Sequence, residues 1–365
     1  MRRYFVLPPF WGVVSLCVIV LFGGWLRGLG TGVLPPGQFT STDAYLYAHQ
    51  AETVWQSGAL PARDLRRWVP VGRDNTALLS AYAYLIGYAG RLLPGVSLYT
   101  VQMYIGVVAW SLGVCVLMLF LQRTHGWGVA LCVGLLLTTL PGSIERSAAG
   151  FGDRDAFCWL MGVLGVVSSL VAARVCQAGR GYLLTVVSGI VVLIGGLSWE
   201  GFCFFLFAVH GVSVYEIATT EASVGALKRY VLWVLSWVPL LYLVSPAYRQ
   251  GQGWATHLFA VGLLPPVGLL GILSLRCLLR QFYPALGRYD RKVGLCLVGV
   301  CVLCGGVYLL RGGGSFATTA FPFADSPLLS SIGELAAPPF GYWVYRYGSV
   351  FVTGSLGLSL MPVVR

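Results

Sequence analysis

Carboxylates are scarce in this 365-residue chain, 13 against 24 lysines and arginines, and four of them stand where an acidic side chain could do chemistry. Asp43 lies at the head of TDAYLYAHQAETVWQSG. Asp153 and Asp155 flank Arg154 in GFGDRDAF, with Arg146 just upstream. Glu334 closes the S-x-x-E of SSIGELAAPPF. Each has a plain structural explanation. Asp43 could cap a helix that stops at Gly58, and one of Asp153 and Asp155 could pair with a helix dipole. Ser331 and Glu334 match a capping box, although Pro338 and Pro339 follow almost at once and leave little helix to cap. As a set they point further. Carboxylates drawn from distant stretches would repel one another if gathered, unless a cation held them. Oxygen ligands of this kind suit Mg²⁺ or Mn²⁺, not zinc.

The elements that must position them are membrane helices. The chain is 57% apolar and 10% charged, with a mean hydropathy of +0.77, where a soluble domain carries about 25% charge. That excludes a soluble globule, a disordered chain, a collagen repeat, a coiled coil and a small disulfide scaffold. Most of the ten cysteines, Cys17, Cys115, Cys132, Cys158 and Cys203 among them, sit inside apolar runs, and so does the Cys301–Cys304 C-x-x-C. They read as buried small hydrophobes. His49, His125, His210 and His257 show no paired spacing for a metal.

Windows of about 20 apolar residues, with Lys and Arg placed inside, predict an all-α polytopic protein of about ten transmembrane helices. The first runs from Phe10 to Leu26. The others fall near 99–121, 128–142, 156–173, 182–198, 202–217, 229–245, 257–275, 293–310 and 344–363. Long outer loops then cover 27–98 and 311–343, the second opening on the flexible run Gly312, Gly313, Gly314, Ser315. Residues 76–94 are apolar too, but short, with Arg91 and three tyrosines, and read as an interfacial helix. With that choice Arg123, Arg174, Arg180, Lys228, Arg229 and the 276–292 arginines lie inside, and Asp43, Asp153, Asp155, Glu200 and Glu334 lie outside. The net charge of +11 is then mostly a cytoplasmic-face charge that attracts anionic membrane lipids; nucleic acid is a poor explanation for it.

The order of these features resembles the catalytic subunit of oligosaccharyltransferase, a GT-C glycosyltransferase of asparagine-linked glycosylation. RSAAGFGDRD, from Arg146 to Asp155, matches the family's R-(S/T)-x-(A/S)-G-x-x-D-x-(D/E) motif. Asp43 looks like its acidic residue after the first span, and SIGE, ending at Glu334, looks like its (S/T)-x-x-E motif. LSWEGFCFFLF, with Trp199, is similar to its turn before an apolar helix, and WVPVGR at 68–73 to a stretch of its first loop. The family's soluble domain with WWDYG, which reads the acceptor sequon, has no counterpart here. Residues 1–365 are therefore read as one transmembrane catalytic domain.

The resemblance implies a membrane enzyme of a bacterial or archaeal cell, with an extracytoplasmic site. It would move an oligosaccharide from a polyprenyl diphosphate to the asparagine of an acceptor polypeptide by inverting displacement. Asp43, Asp153, Asp155 and Glu334 would be the catalytic acids and hold Mg²⁺ or Mn²⁺, and Arg146, Arg154 and Trp199 would contact substrate. Alternatives are a GT-C transferase using polyprenyl-phosphate sugar with a hydroxyl or lipid acceptor, and a transporter or lipid-binding protein with a helix broken at Pro265 and Pro266.

Overall fold

The computed structural model describes residues 10–76, 78–175, 177–219, 223–250, 254–283, 291–300, 303 and 339–360. Among them only one short hairpin, β1 (Arg63–Asp64) with β2 (Arg73–Asp74), is not helical in its regular structure. The helices are α1 (Phe10–Gly28), α2 (Asp43–Ser57), α3 (Ala81–Leu92), α4 (Leu98–His125), α5 (Trp127–Thr139), α6 (Pro141–Glu145) and α7 (Asp155–Arg174). They continue with α8 (Ala178–Gly196), a 3-10 turn at Glu200–Phe202, α9 (Cys203–Thr219), α10 (Ser223–Leu235), α11 (Val238–Val244), α12 (Pro246–Gln250), α13 (Trp254–Phe282) and α14 (Phe340–Leu360).

Five stretches are long and apolar enough to cross a bilayer: Phe10–Gly28, Leu98–His125, Asp155–Arg174, Gly179–Gly196 and Gly225–Val244. Their outward faces are apolar. Leu21, Phe22 and Trp25 of α1 and Val108 and Leu112 of α4 are exposed, as suits a helix facing lipid. The other segments read as spans differ in detail. Residues 128–142 hold a helix of only 13 residues, because Pro141 starts a new turn, and Cys203–Ala218 is also a shorter apolar helix. Even the fifth long stretch, which covers 229–244, is interrupted at Trp237. In α14 the helical geometry breaks at Gly348 (φ 51°, ψ −139°). Of 293–310, residues 293–300 are helical and half of the stretch lies outside the described residues. Pro265 and Pro266 do not end α13, which runs through both, so the broken helix of the transporter reading is absent there. The 76–94 segment forms α3, whose 12 residues rise about 18 Å, too short for a hydrocarbon core of about 30 Å.

The chain divides into two compact units. The first comprises Met1–Leu60, Tyr82–Leu160 and Ser326–Arg365, and the second Pro61–Ala81 and Met161–Asp325. In the second, Ser188 on α8 accepts from the Trp233 indole (3.0 Å) and donates to the Gly165 carbonyl of α7 (2.7 Å). Arg276 of α13 reaches the last turn of α9, at Ile217 O (2.7 Å). Arg229 pairs with Glu216 at 2.6 Å.

In the first unit, Ile19, Trp110, Val114, Met118 and Ala130 form the core of α1, α4 and α5. Gly23 lets Trp110 close in: a Cβ at Gly23 would lie 2.1 Å from the indole. The indole in turn receives Arg27. This guanidinium is 1% exposed, lies 3.4 Å from the Trp110 ring centroid, and ends α1 inside the protein. It donates to Leu137 O (3.2 Å) and Thr138 O (3.3 Å), the carbonyls that α5 leaves without helical partners at its end, and to Gly23 O, Ser143 Oγ and Ser147 Oγ. Its own carbonyl accepts the Ala149 N–H at 2.8 Å. Arg27 thus ties three helices to the segment that leads into the DRD motif. Arg27→Met keeps most of the volume but strands the α5 carbonyls, and we expect it to cost about 2–4 kcal/mol of stability, read as a lower thermal midpoint in detergent. An unchanged midpoint would show that packing alone holds this junction.

Candidate active site

Two turns carry the aspartates. Residues 40–42 lead into α2 and residues 146–154 lead into α7. They are stitched together directly: Thr40 N–H donates to Gly150 O (3.0 Å), and Ser41 Oγ donates to Asp153 Oδ2 (3.0 Å). A buried amide completes the join. Gln102 of α4, 1% exposed, donates from Nε2 to Ala44 O (2.8 Å) and to Gly152 O (2.9 Å). Gly152 has φ +69°, and a Cβ there would lie 2.6 Å from Phe39 and 3.0 Å from Ala44. Only glycine satisfies both demands, which is the local reason for the glycine just before Asp153.

Capping does not explain the acids. Thr42 occupies the cap position of α2 and makes no side-chain cap bond, while Asp43 is the first helical residue and is exposed. At α7, Arg154 O accepts the Cys158 N–H (2.8 Å), so Arg154 is the cap residue and Asp155 the first helical one. Asp43 and Asp155 therefore each sit in a first turn, where the helix dipole favours negative charge.

Asp153 is the buried one, at 8% exposure. Burial raises its pKa above the ordinary 3.8, and the charges of Asp155 and, more weakly, Asp43 push it further up. Two hydrogen bonds pull the other way, one from Arg154 N–H to Oδ1 (2.6 Å) and one from Ser41. The three aspartates thus share one electrostatic field. Beneath them lies Tyr82, fully buried and packed edge-on against Tyr47 (5.2 Å between centroids), with its hydroxyl on Gly152 O (3.3 Å). Burial first, and then the Asp153 charge, raise its pKa well above 10.0, so it stays a neutral donor.

The cations alternate with acids. Arg146 Nη1 lies 3.0 Å from Asp155 Oδ2, and its Nε lies 4.0 Å from Glu145. Glu145 also contacts Arg346 of α14 (3.4 Å), whose side chain is 14% exposed. Arg154 stands over the Tyr47 ring at 5.6 Å. Sequence reasoning missed Arg346, and the signal was there: an arginine in an otherwise apolar, aromatic segment.

Asp43, Asp153, Asp155, Arg146 and Arg154 are therefore brought together within the first unit. Trp199 belongs to the second unit, where it precedes the 3-10 turn and covers its own Gly201. Ser331 and Glu334 lie outside the described residues, as does the 311–333 segment. The all-oxygen donor set and its mutual repulsion fit a hard divalent cation. Among the described residues, no three His, Cys, Asp or Glu side chains are close enough to hold one.

No protein-family model matches the sequence, and no curated protein sequence matches it. Solved structures do. The chain's fold is like that of the matching part of solved oligosaccharyltransferase structures. The chain is similar to archaeal oligosaccharyltransferase AglB of Archaeoglobus fulgidus in complex with an inhibitory peptide and a dolichol-phosphate, at 16% identity and a TM-score of 0.70 over 95% of this chain and 44% of that one. It is also similar to the Archaeoglobus fulgidus oligosaccharyltransferase in complex with Zn and sulfate (16% identity, TM-score 0.63, 82% of this chain and 40% of that). A third match is that enzyme tethered to an acceptor peptide containing the NVT sequon (16%, 0.61, 86% and 39%). This chain spans about two fifths of the length of those structures.

The raised Asp153 pKa has a signed consequence. Its ionised form burdens the folded state above the raised value, and the burden disappears as pH falls below the ordinary 3.8. With a chelator present, Asp153→Asn, which preserves the shape and can still bond Ser41, should raise the thermal midpoint by several degrees at neutral pH. The gain should shrink steadily in acid, and a midpoint lowered at neutral pH would contradict this charge balance.

Proposed function

We propose that this chain is a membrane glycosyltransferase of the oligosaccharyltransferase type, transferring a glycan from a polyprenyl-diphosphate donor to the side-chain amide of asparagine in an acceptor polypeptide. The observation that carries the proposal is the joining of the turn before Asp43 to the turn before Asp153 and Asp155, in a fold shared with AglB. The similar structures are complexes with Zn and sulfate, with an inhibitory peptide and a dolichol-phosphate, and with a tethered acceptor peptide, which supports the same classes of ligand in this proposal.

An amide nitrogen is a poor nucleophile because its lone pair is delocalised into the carbonyl. In this proposal Asp43 and Glu334 accept the two N–H groups of the acceptor amide and favour a twisted geometry in which the lone pair is released. Asp153 and Asp155 complete the oxygen donor set with them. Arg146 holds Asp155 in place, and Arg154 and Arg346 add positive charge for a diphosphate. Tyr82 stays protonated and fixes the Gly152 carbonyl, so the turn beneath Asp153 does not yield. A Mg²⁺ or Mn²⁺ bound to these carboxylates would neutralise the charge that develops on the leaving diphosphate. Displacement would be direct, with inversion at the sugar: the N–C1 bond forms as the C1–O bond to the diphosphate breaks, and the amide proton lost passes to one of the carboxylates that held it. In the ten-span arrangement the site opens on the extracytoplasmic side and Trp199 contacts substrate.

The test is transfer from a lipid-linked diphosphate oligosaccharide to a fluorescent asparagine peptide by the purified chain with Mn²⁺. Asp43→Ala, Asp153→Ala and Glu334→Gln should each lower turnover by about 10²–10³-fold. Transfer to a lipid or hydroxyl acceptor, with none to the peptide, would establish another GT-C reaction instead.

A further inference from the structure

The hairpin made by β1 and β2 is left unused by that chemistry, and its construction is unusual. Arg63 pairs with Asp74 and Asp64 with Arg73, so the tip is LRRWVPVG, residues 65–72. Leu65, Trp68, Val69 and Val71 are 67%, 69%, 73% and 65% exposed. The tip is ordered all the same. Gly72 N–H closes on Trp68 O (2.9 Å), and Arg66 N–H is held by Asp64 Oδ1 (3.0 Å). Arg73 stacks over the Trp68 ring at 4.5 Å. Trp68 itself has φ +57°, a left-handed conformation that is unfavourable for a non-glycine residue. The hairpin thus holds a large aromatic ring outward at a cost in backbone energy.

Its charges are sorted as well. The Asp64 carboxylate is buried, and Asp74 is engaged by the Thr76 N–H (2.8 Å) and hydroxyl (2.7 Å). Arg63 and Arg66 are exposed beside the apolar side chains. Asp74 stays exposed opposite Arg63, so the apolar, cationic surface is that of the tip itself, with Arg66 beside Leu65, Trp68, Val69 and Val71. It is also tied to the end of a helix apolar enough to cross a membrane. Ala81 N–H donates to Leu197 O (3.1 Å), and Leu197 is the residue that follows the span Gly179–Gly196. From Asp74 to Ala81 the chain reaches at most about 25 Å.

We propose that the 65–72 tip is a membrane-interface anchor, with Trp68, Val69, Val71 and Leu65 seated at headgroup level and Arg63 and Arg66 on the phosphates of anionic phospholipids. Tryptophan is at home in that layer, and each arginine near an anionic surface contributes about 1 kcal/mol, roughly fivefold in occupancy. The anchor is independent of the transfer reaction and stands or falls separately from it.

The experiment places a benzophenone amino acid at Val69, and in a second variant at Leu65, in the full chain reconstituted in phosphatidylglycerol–phosphatidylcholine nanodiscs. Illumination should give a phospholipid adduct at both positions. Arg63→Gln with Arg66→Gln, or replacement of phosphatidylglycerol by phosphatidylcholine, should lower the adduct yield about fivefold or more. Three results overturn the proposal: no lipid adduct at either position, a yield indifferent to both changes, or adducts formed on polypeptide. Both substituted positions are exposed, and a gel-filtration profile like that of the unmodified chain confirms that the variants are folded.

Discussion

One buried amide sets the geometry of the candidate site. Gln102 has two N–H bonds to give, and in an apolar interior neither can be left unmade without a cost of about 1–3 kcal/mol. It gives one to Ala44, just inside α2, and one to Gly152, just before the DRD motif. Two turns separated by more than a hundred residues are thereby held at a fixed spacing. Ser41 then reaches Asp153, and Gly152 is pressed so closely on Phe39 and Ala44 that no side chain fits. Arg27 performs the same service one turn earlier, binding the Ser147 hydroxyl and the Ala149 N–H to the ends of α1 and α5. Both anchors lie outside the acids, so the acids remain available for chemistry.

That arrangement gathers negative charge where a protein alone gains nothing from it. Asp153 is buried next to Asp155 and near Asp43, and its ionised form is disfavoured accordingly. Relief is partial: Arg146 neutralises Asp155, Glu145 neutralises Arg146 in turn, and Arg346 closes the row. Like charges held together by their surroundings are what the proposed cation site would need. The neutral, buried Tyr82 adds a firm floor, which a flexible acidic loop would lack.

Much of this was legible in the residues. RSAAGFGDRD marks the second turn by its likeness to the family motif, and Asp43 is marked by its place soon after the first span. The membrane class followed from composition. The hidden part has physical causes. Gln102 sits in an apolar helix whose sequence shows no face, since lipid on one side and protein on the other are equally apolar. Arg27 looked like the flank of a span, yet it is turned inward by Trp110 and by carbonyls that no sequence pattern reveals. Helix ends at Trp237 and Gly348 fall inside uniformly apolar runs, where hydropathy cannot see them. Glu334 and its S-x-x-E motif lie outside the described residues, so the fourth acid rests on the family resemblance.

The proposed function requires that the aspartates of these two turns draw together on one cation when it binds. Mn²⁺ titration of the purified chain, followed by the loss of free-ion signal in electron paramagnetic resonance, addresses it directly. The account predicts one tightly bound ion, displaced by Mg²⁺ and lost in both Asp43→Asn and Asp153→Asn, two changes far apart in sequence. Binding that survives either substitution, or no binding at all, would contradict it.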